Sequence, residues 1–313
     1  MEGVSVSEFI KKVVSSIDDN YLYPYIVFLY SAWVTSSKPR EFVLAYSSKV
    51  FAQESQETLV MLSGYFNINL TLLEIQIPSE IQGYSHIPST SYARLILADK
   101  MVEPFLWLDA DILCLQGWDR LFDNFDSHDR CIGAVSEDSI IFDTLNMARV
   151  RKGASYFNAG VLQVNPSVWE KHGHTAEWID AYRNRSVLGF EWGDQCILNY
   201  VVENQYSKLE EVFNYRWGNH YFGTPSIVHF TGDSKPWHFN STTEILLSAD
   251  YAKYTYAVLY KKYENELLKR IKSDEKLHKY ILGLQKASLR KPRRRARFTE
   301  SVISTLRLLE LRK

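Results

Sequence analysis

The first hundred residues alternate short apolar runs with longer amphipathic stretches. That rhythm confines the chain to βαβ units around a mostly parallel sheet. Val13 to Ile17, Glu41 to Ser47 and Leu70 to Ile77 predict strands. Tyr23 to Ser36 and Gln53 to Phe66 carry helical periodicity between them, and Ser89 to Met101 predicts a third helix opened by Ser/Thr capping candidates. The continuous apolar run from Pro104 to Leu108 ends in Asp109, as a buried parallel strand does where its C-terminal end meets a ligand crevice. Cys131 to Val135 and Phe157 to Val164 add strands, Pro166 starts a helix reaching about Arg183, and Asp194 to Glu203 predicts another. Ser226 to Phe230 is a short strand before a turn containing Gly232 and Pro236.

With 46% hydrophobic residues in 313, the chain is neither a disordered polymer nor a disulfide miniprotein. Its net charge of −1 gives no overall field toward nucleic acid, but the charge is unevenly placed. From Lys286 onward there are ten Lys/Arg against two Asp/Glu, so an acidic body carries a basic tail. Cys114, Cys131 and Cys196 are scattered without CxxC spacing, which predicts neither disulfides nor a zinc site and suits a reducing cytoplasm. The apolar stretch Ile26 to Val34 is too short to span a bilayer, and no signal peptide is expected.

Alternate residues on an extended segment point to one side, so the DxD pair Asp109 and Asp111 converges with the small Ala110 turned away. Two carboxylates that close repel unless a proton or cation lies between them, and Mg²⁺ or Mn²⁺ is the natural solution. A solvated acidic turn is the plainer reading of such a pair. His229 ends a second apolar stretch and is followed by Gly232, Lys235, Pro236 and Trp237. An imidazole suits Mn²⁺ better than Mg²⁺, Gly232 permits close backbone approach, and Lys235 supplies a point charge for a diphosphate. A lone strand-end His is more often a satisfied core group; the cluster as a whole favours a ligand.

Four short motifs thus follow one another: Leu108 to Asp111 after an apolar strand, Phe157 to Val161, Gly193 to Gln195, and His229 to Trp237. In that order and spacing, residues 12 to 240 resemble glycosyltransferase family 8, above all its bacterial lipopolysaccharide α-galactosyl- and α-glucosyltransferases and more distantly glycogenin. The resemblance implies an α/β, GT-A type, Rossmann-like, mostly parallel sheet flanked by helices. It also implies retaining transfer of galactose or glucose from a UDP-sugar. By position it implies that Asp109, Asp111 and His229 hold Mn²⁺, or Mg²⁺, and that Ser16, Asp18 and Asn20 hold uridine. Asp18 reads equally well as an ordinary cap between strand and helix. Arg94, Asn158 and Ala159 would reach the donor sugar, and Gly232 and Lys235 its diphosphate. Arg94 also suits a structural ion pair, and the segment at Asn158 a plain β-turn.

Asp194 and Gln195 are, by resemblance, the pair nearest the reaction. Gln195 is a poor nucleophile, which favours a front-face route in which the pair orients the sugar and stabilises its developing charge. Asp194 could instead cap the helix after Gly193. His86, Glu137 and Asp138 correspond roughly to acceptor-facing positions, and Trp192 and Trp217 are candidates for sugar stacking, with core or rim packing the plainer role for either.

The sequence predicts a transferase domain over 1–265 and a basic amphipathic helical tail over 266–313. In the tail Phe298, Val302, Ile303, Leu306 and Leu309 recur at helical spacing behind the basic run. Such a helix reads as attachment to anionic lipid, placing a cytoplasmic enzyme peripherally on the inner face of the membrane, where it meets a glycan or glycolipid acceptor. No base-reading motif supports nucleic-acid binding. Two other functions stay open: a glycogenin-like protein that glucosylates its own tyrosine, and a non-catalytic nucleotide-sugar-binding module. The second would tolerate loss of an acid or of His229, and the chain keeps them all.

Overall fold

The computed structural model describes residues 12–83, 88–123, 130–137, 155–190, 192–203, 205–217, 223–241, 243–244 and 251–289. Among these, the main sheet contains β1 (Lys12–Ser16), β2 (Glu41–Tyr46), β3 (Leu70–Glu74), β4 (Phe105–Leu108), β6 (Ile132–Ser136), β7 (Phe157–Val164) and β8 (Tyr206–Lys208). Their order is β3, β2, β1, β4, β7, β6, β8. The first four run parallel, β7 runs antiparallel to both neighbours, and β6 and β8 are parallel. The expected α/β sheet is therefore present and mostly parallel, with one reversed strand that periodicity does not announce. A second, small sheet joins β5 (Ile112–Cys114), β10 (Ile227–His229) and β9 (Tyr215–Arg216).

Apolar side chains leave both faces of the main sheet. Val13, Phe42, Leu44, Leu106 and Leu108 enter one core; Val14, Val43, Ala45, Phe105 and Trp107 enter the other. This two-sided burial is why these strands read as unbroken apolar runs. The second core is closed by α3 (Ala93–Lys100), α4 (Pro166–Lys171), α5 (His174–Arg183) and α7 (Gly193–Val202). The single helix expected from Pro166 to Arg183 is split at Gly173, whose φ of +72° no continuing helix adopts.

Helix α1 (Leu22–Thr35) is buried on nearly every side. One flank meets the sheet, and the other is covered by α8 (Tyr251–Arg270) and α9 (Glu275–Ser288). Tyr23 donates to Glu264 Oε1 at 2.7 Å and Tyr30 to Glu266 Oε1 at 2.9 Å, tying α1 to α8. Leu267, Ile271, Leu277 and Ile281 are fully buried in the same core. The domain boundary expected after residue 265 falls inside α8, and the chain as far as Ile281 contributes to the body of the fold. The rest of the basic tail, residues 290–313, lies outside the described residues, as do His86 and Asp138. Among the described residues no helix is long and apolar enough to cross a membrane.

Candidate active site

Two strand pairings bring the chemistry together. At the end of β4 the Asp109 amide donates to Gly160 O at 2.9 Å, extending the pairing of β4 with β7. Asp109, Ala110 and Asp111 then turn the chain into β5 instead of continuing the strand, with Ala110 buried in the core. The antiparallel register of β5 and β10 sets His229 opposite Ile112, and Phe230 N donates to Asp111 O at 2.9 Å. One register step separates His229 from Asp111, although they are 118 positions apart along the chain.

One oxygen of each acid and one ring nitrogen of His229 lie within 4.8 Å of one another. Hard carboxylate oxygens with an imidazole fit Mg²⁺ or Mn²⁺. His229 Nε2 is 3.2 Å from Asp111 Oδ1, and Lys235 Nζ is 2.6 Å from Asp111 Oδ2. Burial works to raise the Asp111 carboxyl, but Lys235 and His229 outweigh it and hold the group well below the usual carboxylate range. Lys235 also donates to Phe230 O. Asp109 Oδ1 accepts from Arg94 at 3.0 Å and from the Trp107 indole at 2.8 Å.

Arg94 is the structural ion-pair partner that the sequence allowed. Its Nε lies 2.9 Å from Asp194 Oδ2, its guanidinium reaches Ala159 O, and it stacks 4.9 Å above the Trp107 ring. Burial lifts the Asp194 carboxyl to about 6, against the pull of Arg94 and with the help of Asp109. Gln195 is held on three sides: Oε1 accepts from Asn158 Nδ2 at 3.1 Å and from Ala159 N at 3.0 Å, and Nε2 donates to Tyr156 OH at 3.1 Å. The segment at Asn158 is not the β-turn that local sequence suggested; it lies within β7.

Every residue expected to hold the cation or the donor, or to act on the sugar, lines one cavity of about 950 Å³, with the exception of Ala159. Ala159 acts through its backbone, bonding both Arg94 and Gln195. Ser16 Oγ is buried and has no hydrogen-bond partner among the described residues. Asp18 is the cap foreseen for the turn after β1, accepting from Asn20 N at 3.0 Å, and it lines the cavity as well. Gly232 has a φ of +81°. Glu137 reaches the cavity paired with Arg216, and Trp192 stands at its wall, 38% exposed. Trp217 is packed in the core instead, its indole donating to Thr231 O at 2.8 Å.

Several participants carried no readable signal. Asn214 bridges His229 Nδ1 and Asn158 Oδ1, and Asn199 clamps α7 to β7 by bonding both backbone groups of Phe157. Trp107 was readable, since it lies two residues before Asp109 on one strand face.

The model of Glycosyl transferase family 8 matches residues 12–241. General stress protein A of Bacillus subtilis is 24% identical over 258 residues, 74% of this chain and 89% of that protein. The lipopolysaccharide 1,3-galactosyltransferase of Salmonella typhimurium is 24% identical over 251 residues, 72% of each chain. The lipopolysaccharide 1,2-glucosyltransferase of Escherichia coli is 25% identical over 269 residues, 77% of this chain and 76% of that one. The solved galactosyltransferase LgtC, in complex with donor and acceptor sugar analogs, superposes with a TM-score of 0.65 at 19% identity, covering 82% of this chain and 95% of that chain.

Proposed function

The chain belongs to glycosyl transferase family 8 and has a GT-A type fold, and from that premise we propose that it transfers galactose or glucose from a UDP-sugar, with retention, to a cell-surface glycan or lipid-linked saccharide such as lipopolysaccharide. The observation that carries this reading is the meeting of Asp109, Asp111, His229 and Lys235 in a cavity whose wall also holds Asp194 and Gln195. A lipopolysaccharide galactosyltransferase and a glucosyltransferase among the relatives support the hexose and the acceptor class.

Asp109, Asp111 and His229 would hold Mn²⁺, or Mg²⁺, which when bound supplies Lewis-acid charge to the diphosphate. Lys235 adds a fixed positive charge where negative charge grows on the leaving group, and Gly232 lets the backbone approach it. Ser16, Asp18 and Asn20 offer donors and acceptors to the nucleoside, and the unpartnered Ser16 hydroxyl gains its missing bond. Arg94 holds Asp109 and Asp194 in fixed relation while Asn158 and Gln195 orient the sugar. The bond from the anomeric carbon to the diphosphate oxygen breaks as the acceptor oxygen bonds on the same face, and the acceptor proton passes to the departing phosphate oxygen. Gln195, tied by its amide at both ends, is placed to orient and not to attack.

The direct test is UDP release from UDP-galactose and UDP-glucose with Mn²⁺ and with chelator. Release should depend on the cation, and Asp109→Asn should remove most turnover because several kcal/mol of charge stabilisation is lost. Equal rates with and without chelator would overturn the proposal. A mass gain of one hexose on the protein itself would point instead to self-glucosylation.

A further inference from the structure

Behind the cavity, side-chain amides form a continuous chain from His229 to Tyr156. Their orientations are decided by backbone N–H groups, which can only donate. Gly160 N donates to Asn158 Oδ1 at 2.9 Å, so the Asn158 amide turns its Nδ2 toward Gln195. Ala159 N donates to Gln195 Oε1, which fixes Gln195 in the same sense. On the other side Asn158 Oδ1 accepts from Asn214 Nδ2 at 2.9 Å, leaving Asn214 Oδ1 to face His229 Nδ1 at 3.0 Å. An amide oxygen only accepts. In the neutral ring Nδ1 therefore carries the proton, and the lone pair is on Nε2, the nitrogen facing Asp111.

We propose that Asn214 is a positioning residue: it selects the nitrogen of His229 that is free to ligate and, through Asn158, locks that selection to the placement of Gln195. The inference rests on the cation reading of the site given above. Asn214 is 2% exposed, so bulk water does not compete for its two bonds. A ligating imidazole is held in one tautomer by what its other nitrogen bonds to, and loss of such a partner lowers metal affinity. Asn214 also spans the sheets: it precedes β9 in the small sheet, while Asn158 belongs to β7 in the large one.

The test compares two variants of the full chain. Long-range ¹⁵N spectra of the His229 ring in cation-free protein report the tautomer, and titration with Mn²⁺ alone reports affinity. In wild type Nδ1 should carry a proton toward Asn214 Oδ1, whatever the state of Nε2. Asn214→Leu should mix the tautomers and weaken Mn²⁺ binding about 10- to 100-fold. Asn214→Asp keeps an acceptor for Nδ1 but turns an oxygen toward Asn158 Oδ1. It should preserve the tautomer and Mn²⁺ affinity while lowering kcat more than it changes KM. A merely structural asparagine would not separate the two ends in this way. Unchanged tautomer and affinity in Asn214→Leu overturn the proposal; should that variant not fold, loss of the tautomer in Asn214→Asp does so. A wild-type protein with the Nδ1–H ring that binds no Mn²⁺ overturns the cation reading, while the spectra of the variants still decide whether Asn214 governs the ring.

Discussion

A hydrogen atom at position 160 is what allows His229 to stand where it does. A Cβ on Gly160 would fall 2.2 Å from His229 Cε1 and 2.7 Å from its Nδ1, so the ring would have to leave the two acids. Gly160→Ala should therefore abolish Mn²⁺ binding in titration, and a denaturant melt should show a loss of about 1–3 kcal/mol from overpacking. Asp194 gives a pH prediction. Its carboxyl titrates near 6 in the fold and near 3.8 when unfolded, so the folded chain takes up a proton first as pH falls. The contribution of Asp194 to stability is full below about pH 4 and is lost as pH rises through 6. Melts of cation-free wild type and Asp194→Asn should show the wild type losing ground to the variant by about 2–2.5 kcal/mol between pH 4 and 7.5. An unchanged difference would mean that Arg94 keeps the acid ionised throughout. The acids, His229 and Lys235 were legible because each belongs to a run of unusual chemistry; Asn214 was not, since an asparagine with two tertiary partners looks like any other until the fold supplies them.

At the scale of elements, the strands and helices before Asp109 follow the sequence closely because burial on both sheet faces leaves an apolar trace. Phe157–Val164 was legible as a strand but not as a reversed one, since the direction of a buried strand depends on where its neighbours lie. The three-residue β5 and two-residue β9 were not foreseen, being too short for periodicity to register. The C-terminal helices show the opposite limit. Their charge suggested a separate tail, yet their apolar residues complete the cover of α1. Ile281→Ala should lower stability by about 2–5 kcal/mol in a urea melt, as a buried truncation does, and a surface-like cost would contradict this docking.

For the whole molecule, charge is divided along the chain: an acidic body and a strongly basic end. If residues 290–313 attach the protein to anionic lipid, each basic residue near the surface contributes about 1 kcal/mol. Deleting them should leave turnover in solution intact while abolishing co-sedimentation with anionic vesicles. Undiminished sedimentation would place the membrane contact elsewhere on the chain.

The sequence by itself determined the family, the α/β architecture and the identities of the acids, imidazole and lysine, because these are carried by local patterns of burial and residue type. That the acids and the imidazole meet was only implied by resemblance; how they are brought together, and what holds them there, the tertiary structure alone decided. The reversal of β7, the register of β5 against β10 and the absence of a side chain at Gly160 are properties of pairs of segments distant along the chain, and no single stretch of sequence contains a pair.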